Sequence, residues 1–181
     1  MRTFIFSLAM MLATTGFGKN LTHQDVESWL NTYKQVEAWG EKHPETRVQL
    51  EKPELNYARI FSSALEQVKK QNSYSDLASL LKKNGYSDPK EWAQIGDRIF
   101  LALAASEMSQ FTPEDLQQQI KMMEISLQSA NISDAQKAIL KETMEKSRQA
   151  IEAAAATPKE DIEVVQQFRN ELGNFLNLED E

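Results

Sequence analysis

An all-α fold, an irregular bundle of about six or seven helices, is the class this sequence predicts, on three observations. Apolar residues recur at three- and four-residue spacing through most of the chain beyond residue 20, the period of a helix with one buried face. Those stretches are bounded by repeated helix-start signatures, with Thr, Ser or Asp at the cap and Pro, Glu, Asp or Gln in the first turn. Turn-forming residues are scarce, six Gly and five Pro among 181 residues, and no stretch alternates apolar and polar with a period of two.

The first 18 residues stand apart. Arg2 precedes an apolar run over 3–13, and small residues close the segment at Thr14, Thr15, Gly16 and Gly18. A basic start, an apolar middle and a small-residue exit are the layout of a cleavable export signal, with cleavage expected before Lys19 or, alternatively, after Thr15. The run is shorter than the roughly 20 residues of a spanning helix. The later apolar run 99–105 is shorter still, so no stable membrane anchor is expected after cleavage. Residues 19–181 are expected to form a single helical domain, periplasmic or secreted.

The first helix of that domain starts at Thr22, a cap flanked by Leu21 and Val26 in the positions of a hydrophobic staple. It presents Val26, Trp29, Leu30, Tyr33 and Val36 on one face and is expected to end near Gly40. His43 and Pro44 break the chain, and Pro53 starts or kinks a second helix carrying Tyr57, Ile60, Phe61, Ala64, Leu65 and Val68. A short third helix with Leu77, Leu80 and Leu81 stops at Asn84 and Gly85.

Asp88, Pro89 and Glu91 open a fourth helix whose middle, 99–105, is apolar all round, as a central helix covered by neighbours must be. Gly96, Ala102 and Ala105 leave room for close approach. Thr112 and Pro113 open another with Leu116, Ile120, Met123 and Leu127. Ser133 and Gln136 form a capping box before a stripe of Ile139, Leu140, Met144, Ala150 and Ile151. Thr157 as cap, Pro158 and Glu160 open the last, with Ile162, Val165, Phe168, Leu172 and Phe175.

Charge and composition narrow the function. The formal net charge is −7, and −8 without Arg2 of the signal. An acidic surface repels nucleic-acid phosphates and anionic headgroups, so neither is an expected partner. The absence of Cys removes disulfides, thiol catalysis, thiolate-bound metal centres and the lipid anchor of a lipoprotein. The two histidines, His23 and His43, lack the spacing of a helical metal pair, and no zinc-protease, nucleophile-elbow, P-loop or dinucleotide motif occurs. Glu142 and Glu145 alternate with Lys141 and Lys146, an ion-paired exposed face rather than a catalytic carboxylate pair. Met123 and Met144 fall on apolar stripes and read as core filling rather than as metal thioethers. No catalytic residue, cofactor or metal is expected.

Four residues stand out as ligand or partner contacts. Asp97 and Arg98 interrupt the most apolar helix, so they are either charged groups in a ligand pocket or an ion pair to a neighbouring helix that fixes packing. Trp92 opens the same helix. Trp39 falls off the apolar face shared by Trp29 and Tyr33 and is the tryptophan expected to be most exposed.

Two resemblances accompany these readings. Residues 86–98, YSDPKEWAQIGDR, resemble a segment of uncharacterised exported helical proteins of proteobacteria, which implies compartment and fold but no activity. Residues 132–136, ISDAQ, with the charged helix KAILKETMEKSRQAI after them, are similar to the LTxxQ motif of periplasmic stress chaperones. The match covers about twenty residues and departs at the first two motif positions, and Leu21, Thr22 and Asp25 give a second partial match that departs at the last. The expectation is an exported, non-enzymatic helical protein that binds other envelope proteins or acts in a chaperone-like way. The alternative is a small-molecule-binding module with a pocket near Trp92, Asp97 and Arg98.

Overall fold

Thr22 opens the first helix as its sequence requires. Its hydroxyl accepts from the Asp25 N–H, and the Asp25 carboxylate accepts from the Thr22 N–H at 2.8 Å, closing a capping box. A computed structural model of the chain describes residues 19–46, 56–109 and 133–176, with Asp115, Gln118, Lys121, Met122, Glu124 and Ile125 between them. Among these residues there are seven helices and no strand: α1 (His23–Lys42), α2 (Ile60–Val68), α3 (Tyr74–Lys83), α4 (Pro89–Met108), α5 (Asp134–Ala155), α6 (Lys159–Gln166) and α7 (Arg169–Leu176). Short 3-10 turns lie at Pro44–Thr46 and Tyr57–Arg59. The export signal, Pro53, and the helix expected from Thr112 onward lie outside the described residues, apart from the six single positions just named.

Helix α4 is the axis of the bundle. It packs against α1, α2, α3, α5 and α6, and its buried residues Trp92, Ala93, Gly96, Asp97, Ile99, Ala102, Leu103 and Ser106 spread around its circumference. Asp88 caps it, accepting from the Lys90 N–H at 2.9 Å, and Pro89 takes the first turn, where a missing N–H costs nothing. Gly96 is the crossing point with α1. A Cβ there would sit 2.8 Å from the Trp29 indole and 2.9 Å from the Phe61 ring, so only glycine admits both aromatics.

Helix α3 stops in a Schellman turn. Gly85 takes φ +95°, the Gly85 N–H donates to Lys82 O at 3.1 Å, and the Tyr86 N–H donates to Leu81 O at 3.1 Å. Buried Tyr86 and Leu81 provide the apolar contact that accompanies such a turn. Burial, with the charges of Asp25 and Glu91 adding to it and a hydrogen bond with Thr32 opposing it, pushes the pKa of the Tyr86 hydroxyl up to about 12.

Two expectations change at the C-terminal end. The stripe from Ile162 to Phe175 is not one helix: the chain turns at 167–168, between α6 and α7, and Val165, Phe168 and Leu172 on either side of the turn are all buried in the core. Thr157 does not cap α6, since its hydroxyl donates backward to Ala153 O at 3.2 Å and Pro158 takes the cap position without a side-chain bond. Helix α5 is capped as expected, by Ser133 and Gln136. Yet Ala154 is its buried residue among those described, and Ile139 is 63% exposed. Its surface is laced by Lys146–Glu142 at 2.9 Å and Arg148–Glu145 at 2.7 Å, solvent-screened pairs of small weight.

Candidate functional site

Asp97 and Arg98 are neighbours in sequence that serve opposite sides of α4. Helix α2 begins after Arg59, whose side chain makes no capping bond, so its first amides need an acceptor from elsewhere. Asp97 supplies it. One carboxylate oxygen accepts from the Phe61 N–H at 2.8 Å and the Ser62 N–H at 3.2 Å, and the other accepts from the Ser62 hydroxyl. The carboxylate is therefore a helix cap delivered from another helix. Burial pushes the Asp97 carboxyl above the usual carboxylate range, while the Ser62 and Phe61 donors and the Arg59 charge pull it back.

Arg98 reaches α6. Its Nε and Nη2 donate to one Asp161 oxygen at 3.1 and 2.7 Å, and the other Asp161 oxygen accepts from the Leu21 N–H at 2.7 Å. Asp161 is 1% exposed, so the pair and the amide together neutralise a charge that could not otherwise stay buried. Asp161 thus clips the start of the described chain to α4 and α6. Nothing in the sequence singles it out, because an acid in the first turn of a helix is indistinguishable from the dipole-complementing Glu160 beside it.

Trp39 and Trp92 do come together, at a groove. A cavity of about 280 Å³ lies between the C-terminal half of α1, α2, α3 and the start of α4. Tyr33, Val36 and Trp39 of α1 form one wall, and Phe61, Ala64, Leu65 and Val68 of α2 another, with Leu77 and Trp92 behind. Gly40, Glu41 and Thr46 line it where α1 ends. Asp97 and Arg98 are not among the lining residues, so the pocket sits beside Trp92 without the two charges. Trp39 is half-buried here rather than the free surface ring its sequence position suggested, and its ring tilts against His43 at 4.8 Å.

Behind the lining stands Trp29. Its indole stacks on Tyr33 at 5.1 Å and on Trp92 at 5.7 Å, meets Phe61 edge-on at 5.0 Å, and donates from Nε1 to Trp92 O at 3.0 Å. Offset and edge-to-face contacts of this kind fix ring positions. Three of the four lining aromatics are therefore held from behind. The indole N–H groups of Trp39 and Trp92, by contrast, are buried without an acceptor among the described residues. A sealed unpaired donor costs about 1–3 kcal/mol.

The groove offers shape and apolar contact. Among the described lining residues the polar side chains are those of Tyr33, Glu41, Thr46 and the two tryptophans, and none of these is a nucleophile paired with a base. His23 and His43 stand at opposite ends of α1, about 30 Å apart at 1.5 Å per residue, and cannot share a metal ion. Among the described residues no group of three His, Cys, Asp or Glu is placed to hold one, and no helix is long and apolar enough to cross a membrane. No family model, no curated protein and no solved structure matches the chain.

Proposed function

We propose that this is an exported, non-enzymatic binding protein that takes a small, largely apolar ligand in the groove between α1, α2, α3 and α4. The observation that carries the reading is the groove itself, about 280 Å³ of apolar, aromatic-walled space joined to the core of a small bundle. Ordinary ligand pockets span roughly 300–1,000 Å³ and combine an apolar lining with a few polar groups. A site at the lower edge of that range suits one small molecule or one inserted side chain. It is too short for the several anchors of an amphipathic helix.

Binding of N-phenyl-1-naphthylamine, a neutral probe that brightens in apolar surroundings, tests this reading. One probe per chain is expected, with its signal lost in Ala64→Phe, which fills the groove from α2 while leaving the core side chains in place. A probe that binds Ala64→Phe as well as the native protein would contradict it.

A second reading, attachment to other envelope proteins in the manner of the periplasmic chaperones, is favoured by a different observation. Ile139 and Leu140 on α5, with Met122 and Ile125, are exposed large apolar side chains. Suppression of light scattering by a denatured client supports it. No suppression at several-fold excess counts against it.

A further inference from the structure

The groove is not electrically neutral at its rim. Glu41 lines it, is exposed, and is the charged residue among the described lining residues. It lies in the last turn of α1, a helix of 20 residues whose C-terminal carbonyls carry the negative end of the backbone dipole. Burial raises the pKa of the Tyr33 hydroxyl, and the charge of Glu37, one turn before Glu41, adds to it, so the same edge feels a second negative charge. Lys42 lies beside Glu41 in sequence but does not line the groove. Inside the rim stand four aromatic residues, Tyr33, Trp39, Phe61 and Trp92.

An aromatic ring attracts a cation lying over its face, and a carboxylate at the rim adds to that attraction while opposing an anion. The formal net charge of −7 acts in the same direction at longer range. Resting on the reading of the groove as a ligand site, we infer that its ligand is an amphipathic cation, an apolar body with an ammonium-type head held between the aromatic walls and Glu41. The buried indole N–H groups do not argue for an anionic or carbonyl head, because neither nitrogen has accessible surface for a ligand to touch. The aliphatic wall of Val68, Leu65 and Leu77 receives the apolar body.

A matched eight-carbon series tests the inference: octyltrimethylammonium, octanol and octanoate, each titrated below micelle formation and followed by tryptophan fluorescence or calorimetry. The ammonium is expected to bind about 3- to 30-fold more tightly than octanol, the span reported for cation–aromatic contacts from exposed to desolvated sites. Octanoate is expected to be weakest. Glu41→Gln, a change at an exposed position, should cut the advantage of the ammonium severalfold, change octanol much less, and flatten the salt dependence. Trp39→Leu should reduce the advantage while keeping apolar contact. Equal affinity for ammonium and octanol, or tighter binding of octanoate, overturns the cationic inference and leaves the groove reading standing. Failure of all three to bind overturns both.

Discussion

The two polar clips of α4 and the aromatic groove beside them invert what their residues suggest. Asp97 and Arg98 look like a site, being charges in the most apolar helix, yet each is consumed by a structural partner on a different helix. Trp92, Tyr33 and Phe61 look like core, and they are packed like core against Trp29, yet all three also line the groove. A charge becomes available for chemistry only when its burial is not already satisfied by the fold. An aromatic cluster can offer contact to a ligand where it also borders a groove. The comparison makes opposite predictions for the two regions: the clips govern stability, the groove governs binding.

The largest effect is expected at Asp161→Ala, which strips Arg98 of its partner and leaves the Leu21 amide unbonded. Breaking a buried pair costs about 3–5 kcal/mol, and the partial exposure of Arg98 places this one near the lower end, to be read from urea unfolding. Probe affinity of the folded fraction should not change. Asp97→Ala should follow at about 2 kcal/mol, as expected for charge-assisted bonds to the first turn of α2.

Asp97→Asn sharpens the point through pH. The folded Asp97 carboxyl is raised relative to the unfolded chain, so its contribution to stability is greatest below the ordinary carboxylate range and declines as pH rises through the raised value. The stability difference between wild type and Asp97→Asn should therefore move in favour of Asn as pH rises from about 4 to 7. A difference that stays flat or moves the other way would contradict burial as the dominant influence on Asp97.

Gly96→Ala should cost about 1–2 kcal/mol, since the clash with Trp29 and Phe61 outweighs the roughly 1 kcal/mol gained in helix propensity. It should weaken probe binding as well, because it displaces rings that line or back the groove. Trp39→Phe is the smallest: it deletes an unpaired buried donor, so stability should stay within about 1 kcal/mol of wild type although the ring shrinks. A loss of several kcal/mol there would mean that Trp39 belongs to the core rather than to the site.

What the sequence revealed follows from how local each feature is. Caps at Thr22, Asp88 and Ser133 were legible because a cap is written within four residues, and the Gly85 turn because positive φ selects glycine. The central place of α4 was legible from a run too apolar to face water. Partners distant along the chain were not legible: Asp97 meets Ser62, and Arg98 meets Asp161, across separations of 35 and 63 residues. Nor was the fate of α5, because a stripe such as Ile139, Leu140 and Met144 specifies a helix without specifying what covers it. Trp39 was singled out for being off the apolar face. Its position at the groove depends on α2 closing the other side, which no local signal encodes.

The most direct test uses the three tryptophans as reporters, since each contributes one indole N–H signal to a nitrogen–proton NMR spectrum. Trp39 lines the groove with no acceptor for its indole N–H among the described residues, Trp92 lines it likewise, and Trp29 stands behind it bonded to Trp92 O. On titration with a saturating apolar probe, the Trp39 signal should move most, Trp92 next and Trp29 least, with the amides of Asp97, Arg98 and Asp161 nearly still. Shifts centred on Asp97, Arg98 and Asp161, with Trp39 unmoved, would contradict the account.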